Sequence, residues 1–219
     1  MRMLDLFCGR FGWSKAFAAR GWECVGVDLI EPPDLPEGCS FIQQDILKIT
    51  HESPFMHWDD GGDYFDFICA SSPCEQFSVH GMKHFHPNPP YPEIGIKLFN
   101  HTRALCEASG VPYVMENVRA AQQFVGNAVN HCGPFYLWGN AVPPILPQGI
   151  KKMMRGNGTA YKQFANLPYE ERKRARNEHQ RLYPFNKKES ASQIAEIPPE
   201  LSACVADYAE RLIEMKASA

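Results

Sequence analysis

The feature that most constrains the fold is an alternation of short apolar runs with stretches of helical spacing. The first run, Met3-Leu4-Asp5-Leu6-Phe7, gives way to Cys8-Gly9-Arg10-Phe11-Gly12. A helix is predicted over about 13–20, with Gly21 as its C-cap. A second strand over 23–28 ends in Asp28, and a loop carrying Pro32, Pro33 and Pro36 separates it from a third near Phe41-Ile42, which leads into Asp45. The fourth strand, 64–70, stops just before Ser71-Ser72-Pro73-Cys74. Pro92 opens a helix that runs to about Ser109 and is closed by Gly110, and 112–116 reads as a fifth strand. Strands alternating with helices predict an α/β fold with a doubly wound, mostly parallel sheet. In such sheets ligands and reacting atoms collect at the carboxyl ends of the strands.

Past Phe135-Tyr136-Leu137-Trp138-Gly139 the alternation breaks at Pro143, Pro144 and Pro147. A final helix starting at Pro198, with Leu201, Val205, Tyr208 and Leu212 at helical spacing, is expected to pack back on the sheet. The 219 residues and 44% hydrophobic content suit one large domain with a small appendage. No run approaches the roughly 18–20 apolar residues a membrane span needs. Asp5, Arg10 and Lys15 interrupt any signal-peptide pattern, so a soluble, cytoplasmic protein is expected. The eight cysteines contain no C-x-x-C, which argues against a zinc ribbon, and their scatter argues against a secreted disulfide framework.

Charge is unevenly placed. Residues 151–188 hold 11 Lys/Arg against 3 Asp/Glu in a chain of net charge −3, so the remainder is strongly acidic. A basic segment on an acidic body fits a polyanionic partner, although a solvated helical face fits it equally well.

Three constellations carry chemistry. Gly9 and Gly12 place a close-approach turn ahead of a helix N-terminus, a weaker signal than a full G-x-G-x-x-G. Asp28 lies sixteen residues beyond Gly12, an offset suited to an acid on ribose hydroxyls, and Asp45 ends the next strand, where it reaches an exocyclic amine. Either aspartate alone is more often a helix cap or turn residue; together beside the glycine turn they predict a nucleoside site. Cys74 sits on a proline-stiffened turn past a strand end, where a thiol is a strong nucleophile even when little of it is ionised. A lone cysteine there is more often inert core. Glu116 follows the fifth strand on the same sheet edge, and a carboxyl in an apolar pocket there holds a proton to donate. Alone, it reads equally well as an ion-paired structural acid.

Together these residues resemble the cytosine-5 DNA methyltransferase family over roughly residues 3–120. Asp5-Leu6-Phe7-Cys8-Gly9 with Gly12 resembles its cofactor motif, and Asp28 and Asp45 fall on its ribose and adenine acids. Ser72-Pro73-Cys74-Glu75-Gln76-Phe77-Ser78 looks like its nucleophile motif, and Met115-Glu116-Asn117-Val118 like its acid motif. The resemblance implies a Rossmann-like class I S-adenosylmethionine-dependent methyltransferase with a small basic insert. It implies catalysis by Cys74 and Glu116, with Arg119 standing near them. It places S-adenosylmethionine against Asp5, Phe7, Cys8, Gly9, Gly12, Asp28, Leu29, Asp45, Ile46 and Pro73. Nucleic-acid contacts fall to Gln76, Ser78, His80 and Lys83, and within the basic insert to Lys151, Lys152 and Arg155. The loop over 80–92 takes the place of the family's mobile active-site loop. Its histidines are not read as a metal site, and neither a metal nor a membrane partner is expected. Cys74 is expected to be helped by a helix N-terminus or nearby cations, since an unperturbed thiol ionises only near 8.5.

The implied organisation is a catalytic and cofactor-binding domain over 1–139, a reduced target-recognition insert over 140–194, and a closing helix over 195–219. The family's Gln-x-Arg-x-Arg segment has no arginine here: the corresponding stretch is Asn130-His131-Cys132-Gly133-Pro134-Phe135. Arg119 is the substitute by proximity. Gly139-Asn140 imitates the family's last motif, but Pro147 and Gly149 follow too soon for a helix to run on from it. An insert of lysines and arginines binds phosphate better than it reads bases, so short sequence specificity, or recognition by a protein partner, is expected. Such economy suits a bacteriophage or mobile element, acting in restriction-modification inside the host cytoplasm. Two alternatives stand beside DNA methylation: the same chemistry on RNA, on a free cytidine nucleotide or with a modified donor, and a non-catalytic DNA-binding module.

Overall fold

Five strands run parallel and two close the sheet as a hairpin. In a computed structural model describing residues 1–32, 34–56, 65–77, 92–150 and 196–218, the strands are Arg2–Leu6 (β1), Glu23–Asp28 (β2), Cys39–Gln43 (β3), Phe67–Ser71 (β4), Tyr113–Asn117 (β5), Asn130–Cys132 (β6) and Phe135–Trp138 (β7). Among the described residues they form one sheet in the order β3-β2-β1-β4-β5-β7-β6. β1 pairs in parallel with both β2 and β4, so Leu4 faces Val25 on one side and Ile68 on the other. β7 runs antiparallel to β5 and β6. The strand order reverses between β1 and β4, which opens a crevice past their carboxyl ends. The doubly wound, mostly parallel sheet expected from the alternation is the one observed.

The central strands are buried on both faces, as continuous apolar runs such as Phe67-Ile68-Cys69-Ala70 require. Side chains alternate between two cores. One face sets Leu4, Leu6, Ile68 and Met115 against Phe99 and Leu105 of helix Glu93–Ser109 (α2). The other sets Met3, Phe67 and Val114 against Phe17 of helix Ser14–Ala18 (α1) and against Leu201 and Val205 of the closing helix. A short helix, Gln122–Val125 (α3), follows β5. The closing helix, Pro199–Ala217 (α4), is held by Ser202 Oγ donating to the Trp13 carbonyl at 2.6 Å. An Arg20–Asp207 ion pair at 2.6 Å and Trp22 Nε1 donating to Glu210 at 3.1 Å complete its attachment.

Several boundaries differ from expectation. α1 covers only Ser14–Ala18, with Trp13 and Ala19 standing outside as its cap residues. β5 runs one residue past the expected 112–116, to Asn117, and Glu116 within it pairs with Leu137 of β7. The β6–β7 hairpin went unseen because strands of three and four residues are too short to show a period. Gly139-Asn140 opens no helix and instead closes the amino end of β5. Asn140 Oδ1 accepts from the Tyr113 amide at 2.9 Å, and Gly139 sits at φ 129°, where a Cβ would run into the Tyr113 carbonyl oxygen. Met1–Ile150 and Ile197–Ala219 form one compact unit, and residues 151–195 lie outside the described residues. Residues 140–150 join the compact unit because Ala141, Val142 and Leu146 are buried in its second core. No helix among the described residues is long and apolar enough to cross a membrane.

One contact in β2 holds the turn after β1 in place. Phe11 is fully buried at φ 58°, and its ring fills the space that the missing Cβ of Gly26 leaves open; a Cβ there would meet that ring and lie 2.8 Å from Cys8 Sγ. Gly26→Ala is expected to lower stability by about 1–3 kcal/mol through overpacking. The measurement is the urea midpoint, and an unshifted midpoint would mean that the Phe11 ring can swing clear.

Candidate active site

The crevice between β1 and β4 is lined on one side by the turn after β1. The Phe7 and Cys8 amides both donate to the Val27 carbonyl, at 2.9 and 3.2 Å, so the ladder extends past the strand end. The chain then kinks: Phe7 (φ 60°), Gly9 (φ 50°) and Phe11 (φ 58°) all take left-handed conformations. For a phenylalanine this costs on the order of 1 kcal/mol or more and persists only where neighbours enforce it. Asp28 is one enforcer. Its Oδ2 accepts from the Gly9 amide at 3.1 Å and its Oδ1 from the Leu29 amide at 2.7 Å, tying this turn to the loop after β2. A carboxylate has about four acceptor positions, so the half-buried Asp28 keeps capacity for a ligand. Beside it Leu29 and Ile30 are exposed, at 61% and 75%, as an apolar shelf.

Asp45 caps the turn Ile46–Lys48 through the Leu47 amide at 3.0 Å. The Ile46 side chain is buried, as is that of Cys8, so both can offer a ligand only their backbone. Burial pushes the Cys8 thiol far above its ordinary ionisation range, with the charges of Asp5 and Asp28 adding to the effect. Gly12 lies in the turn leading to α1, and Pro73 is exposed on the far side of the crevice.

Asp5 is the unusual group. It is 1% exposed, and its Oδ2 accepts from both the amide (3.2 Å) and the hydroxyl (2.6 Å) of Ser14 at the start of α1. Its Oδ1 has no hydrogen-bond partner among the described residues. Desolvation raises its pKa from 3.8 to about 7, opposed by the Ser14 bonds and reinforced by the charge of Asp28. The unfolded chain releases this proton near 3.8 and the folded chain near 7. Asp5 therefore favours the unliganded fold most below 3.8, and that contribution is lost as the pH rises to about 7. It is worth about 4 kcal/mol across that window. In Asp5→Asn this slope is expected to vanish. Urea midpoints at pH 5 and pH 8 measure it, and equal pH dependence in variant and parent would contradict it.

The other wall carries Cys74. Ser71 ends β4 with Glu116 as its partner across the β4–β5 ladder. Trp13 Nε1 donates to Ser71 Oγ at 2.9 Å, joining this strand end to the turn after β1. Asn117, fully buried, donates from Nδ2 to both the carbonyl and the hydroxyl of Ser72, at 2.9 and 3.0 Å. Cys74 follows two residues later, half-buried, in a turn closed by the Phe77 amide donating to its carbonyl at 3.0 Å. The turn is fastened to α2, where Gln76 Oε1 accepts from the Gly95 amide at 2.7 Å and the buried Phe77 ring packs closely over Gly95. Gln76 thus spends its carbonyl holding the turn, whatever its amide group contacts. Glu116 is 8% exposed. Parallel register brings its carboxyl and the Cys74 thiol to the same end of adjacent strands.

Arg119 is exposed in the turn Arg119–Ala121 just past β5, and its guanidinium makes no hydrogen bond or ion pair among the described residues. The β6–β7 turn reaches this same edge and, as the sequence requires, brings no arginine there. Ser78, His80, Lys83, Lys151, Lys152 and Arg155 lie outside the described residues. Among the described residues no group of three His, Cys, Asp or Glu could hold a metal ion. The residues that sequence reasoning left without a role are Asn117, Trp13 and Ser71. Asn117 stood beside Glu116 as a signal, but its Ser72 partner is 45 positions away.

The family model described as C-5 cytosine-specific DNA methylase matches residues 1–131. Among solved structures, a protein described as a prophage-encoded DNA modification methyltransferase of E. coli shares 19% identity at a TM-score of 0.43, over 56% of this chain and 33% of that one. A DNMT2 mutant from Spodoptera frugiperda shares 18% at 0.35, over 56% and 37%. The 1,6-didemethyltoxoflavin-N1-methyltransferase of Burkholderia thailandensis, with S-adenosylhomocysteine bound, shares 15% at 0.32, over 63% and 53%. The matches thus span between a third and about half of those chains. No curated protein matches.

Proposed function

The chain belongs to the C-5 cytosine-specific DNA methylase family, and from that premise we propose that it transfers a methyl group from S-adenosylmethionine to C5 of a cytosine in DNA. The observation that carries this reading is the pairing of Ser71 with Glu116, with Asn117 clamped onto Ser72. It supports the reading because it sets the turn of Cys74 and the buried Glu116 at the same end of adjacent strands, across the crevice from a wall that suits a nucleoside.

The residues of that wall fit the donor. Asp28 retains acceptor capacity for ribose hydroxyls, Leu29 and Ile30 offer an apolar shelf for the adenine, and Gly9 leaves its side of the turn open. When bound, the donor supplies an electrophilic methyl group activated by its sulfonium charge.

Cys74, as thiolate, adds to C6 of the ring, from a turn that Gln76 fastens to the first turn of α2. Glu116 holds a proton at ring N3, which draws electrons from the ring and makes C6 electrophilic. Addition leaves C5 an enamine-like nucleophile. After methylation, loss of the C5 proton restores the ring and expels the Cys74 thiolate. Covalent addition divides one hard substitution into two easier steps. Neither carbon is reachable inside a duplex, so the base is flipped out at a cost of a few kcal/mol. Exposed Arg119 supplies a cation next to the acid. The basic stretch 151–188 favours a polymeric substrate over a mononucleotide.

The test is transfer of labelled methyl from S-adenosylmethionine to duplex DNA, single-stranded DNA, RNA and dCMP, followed by base analysis. Label in 5-methylcytosine of DNA is expected. Label confined to RNA or dCMP moves the substrate, and binding of DNA without transfer to any of the four ends the enzymatic reading.

A further inference from the structure

Two thiols sit side by side near the β3 edge of the sheet, away from Cys74. Cys24 of β2 stands directly opposite Cys39 of β3 in the parallel ladder, and both side chains meet the same apolar core. Adjacent strands lie about 4.7–4.9 Å apart, within the Cα separation of about 4.4–6.8 Å that a disulfide spans. In the reduced protein the Cys24 thiol donates to the Ser14 carbonyl at 3.5 Å. The neighbouring Cys24 thiol holds the ionisation of Cys39 below its ordinary range, while Cys39 and burial raise that of Cys24. The two also differ in access, since Cys24 is buried while Cys39 is partly exposed. An accessible sulfur inclined to the thiolate, on the residue directly opposite a buried protonated one, is the arrangement of an attacking and a resolving thiol.

We propose that Cys24 and Cys39 form an oxidation site, separate from the catalytic cysteine, at which a peroxide joins β2 to β3 by an intrachain disulfide. The Cys39 thiolate attacks the peroxide O–O bond, giving a sulfenic acid and releasing hydroxide. The Cys24 sulfur then displaces the sulfenic hydroxyl, which leaves as water with the Cys24 proton, and the hydroxide takes up the proton that Cys39 released on ionising. Two thiols and one peroxide become one disulfide and two waters. The bond closes a loop from Val25 to Gly38 that contains Asp28, Leu29 and Ile30, so oxidation ties down the donor side of the crevice. This inference stands on the β2–β3 register and does not depend on the methyl-transfer reading.

The experiment treats Cys74→Ser protein, which removes the catalytic thiol from competition, with hydrogen peroxide. A mass lower by two hydrogens and a peptide linking Cys24 to Cys39 are expected. So is a rise in the thermal midpoint of about 5–10 °C, reversed by a dithiol reductant. Adding either Cys39→Ser or Cys24→Ala abolishes the linked peptide and the rise. Oxygen added at Cys39 without a bridge, a bridge between other cysteines, or an unchanged mass would each overturn the proposal.

Discussion

Cys74→Ser is expected to lower methyl transfer by roughly 10⁴-fold or more, because a hydroxyl in the same place is a far weaker nucleophile toward C6. The side chain is half-buried at the tip of a turn whose hydrogen bonds come from backbone groups, Gln76 and Asn117. The fold should tolerate the change, with S-adenosylmethionine affinity by calorimetry within about twofold of the parent, since the donor side of the crevice is held by Asp28 on the Gly9 and Leu29 amides. Retained turnover in this variant would end the covalent mechanism. Loss of both turnover and donor binding would instead assign Cys74 to the crevice's structure.

Glu116→Gln is the second large effect. The amide matches the carboxyl in shape but cannot hold an acidic proton at N3, and general acid catalysis contributes typically 10²–10⁴-fold. A fall of that size in kcat is expected. Release of the C5 hydrogen in the absence of the donor should fall in parallel, because the same protonation precedes Cys74 addition. Glu116 is buried in β5 between β4 and β7, so a structural role has its own signature. A lowered urea midpoint with unchanged hydrogen release would identify Glu116 as a fold residue. Together the two substitutions separate the nucleophile from the acid: Cys74→Ser stops addition outright, whereas Glu116→Gln slows it.

The parallel sheet was legible in the sequence because its strands are central, apolar and separated by clear breakers. Glu23–Asp28 emerged with the bounds expected, and α2 ended at Gly110 as its glycine promised. The hairpin was not, since Asn130–Cys132 and Phe135–Trp138 are too short for a period to register. At the site, the motif residues could be named from the chain alone, but not how each is used. Asp28 as a clamp on Gly9, Gln76 as the fastening of the Cys74 turn, and the inward rotation of Cys8 and Ile46 come from contacts between elements.

The chain by itself determined which chemistry-bearing residues stand at strand ends, because apolar spacing and turn residues are local and a strand delivers whatever follows it. Only the tertiary structure decided which strand ends are neighbours. The β4–β5 register sets Ser71 beside Glu116, the Asn117 bonds to Ser72 reach across 45 positions, and Trp13 reaches Ser71 across 58. Those pairings are chosen by burial of two whole sheet faces at once, a collective outcome that no short stretch of sequence encodes.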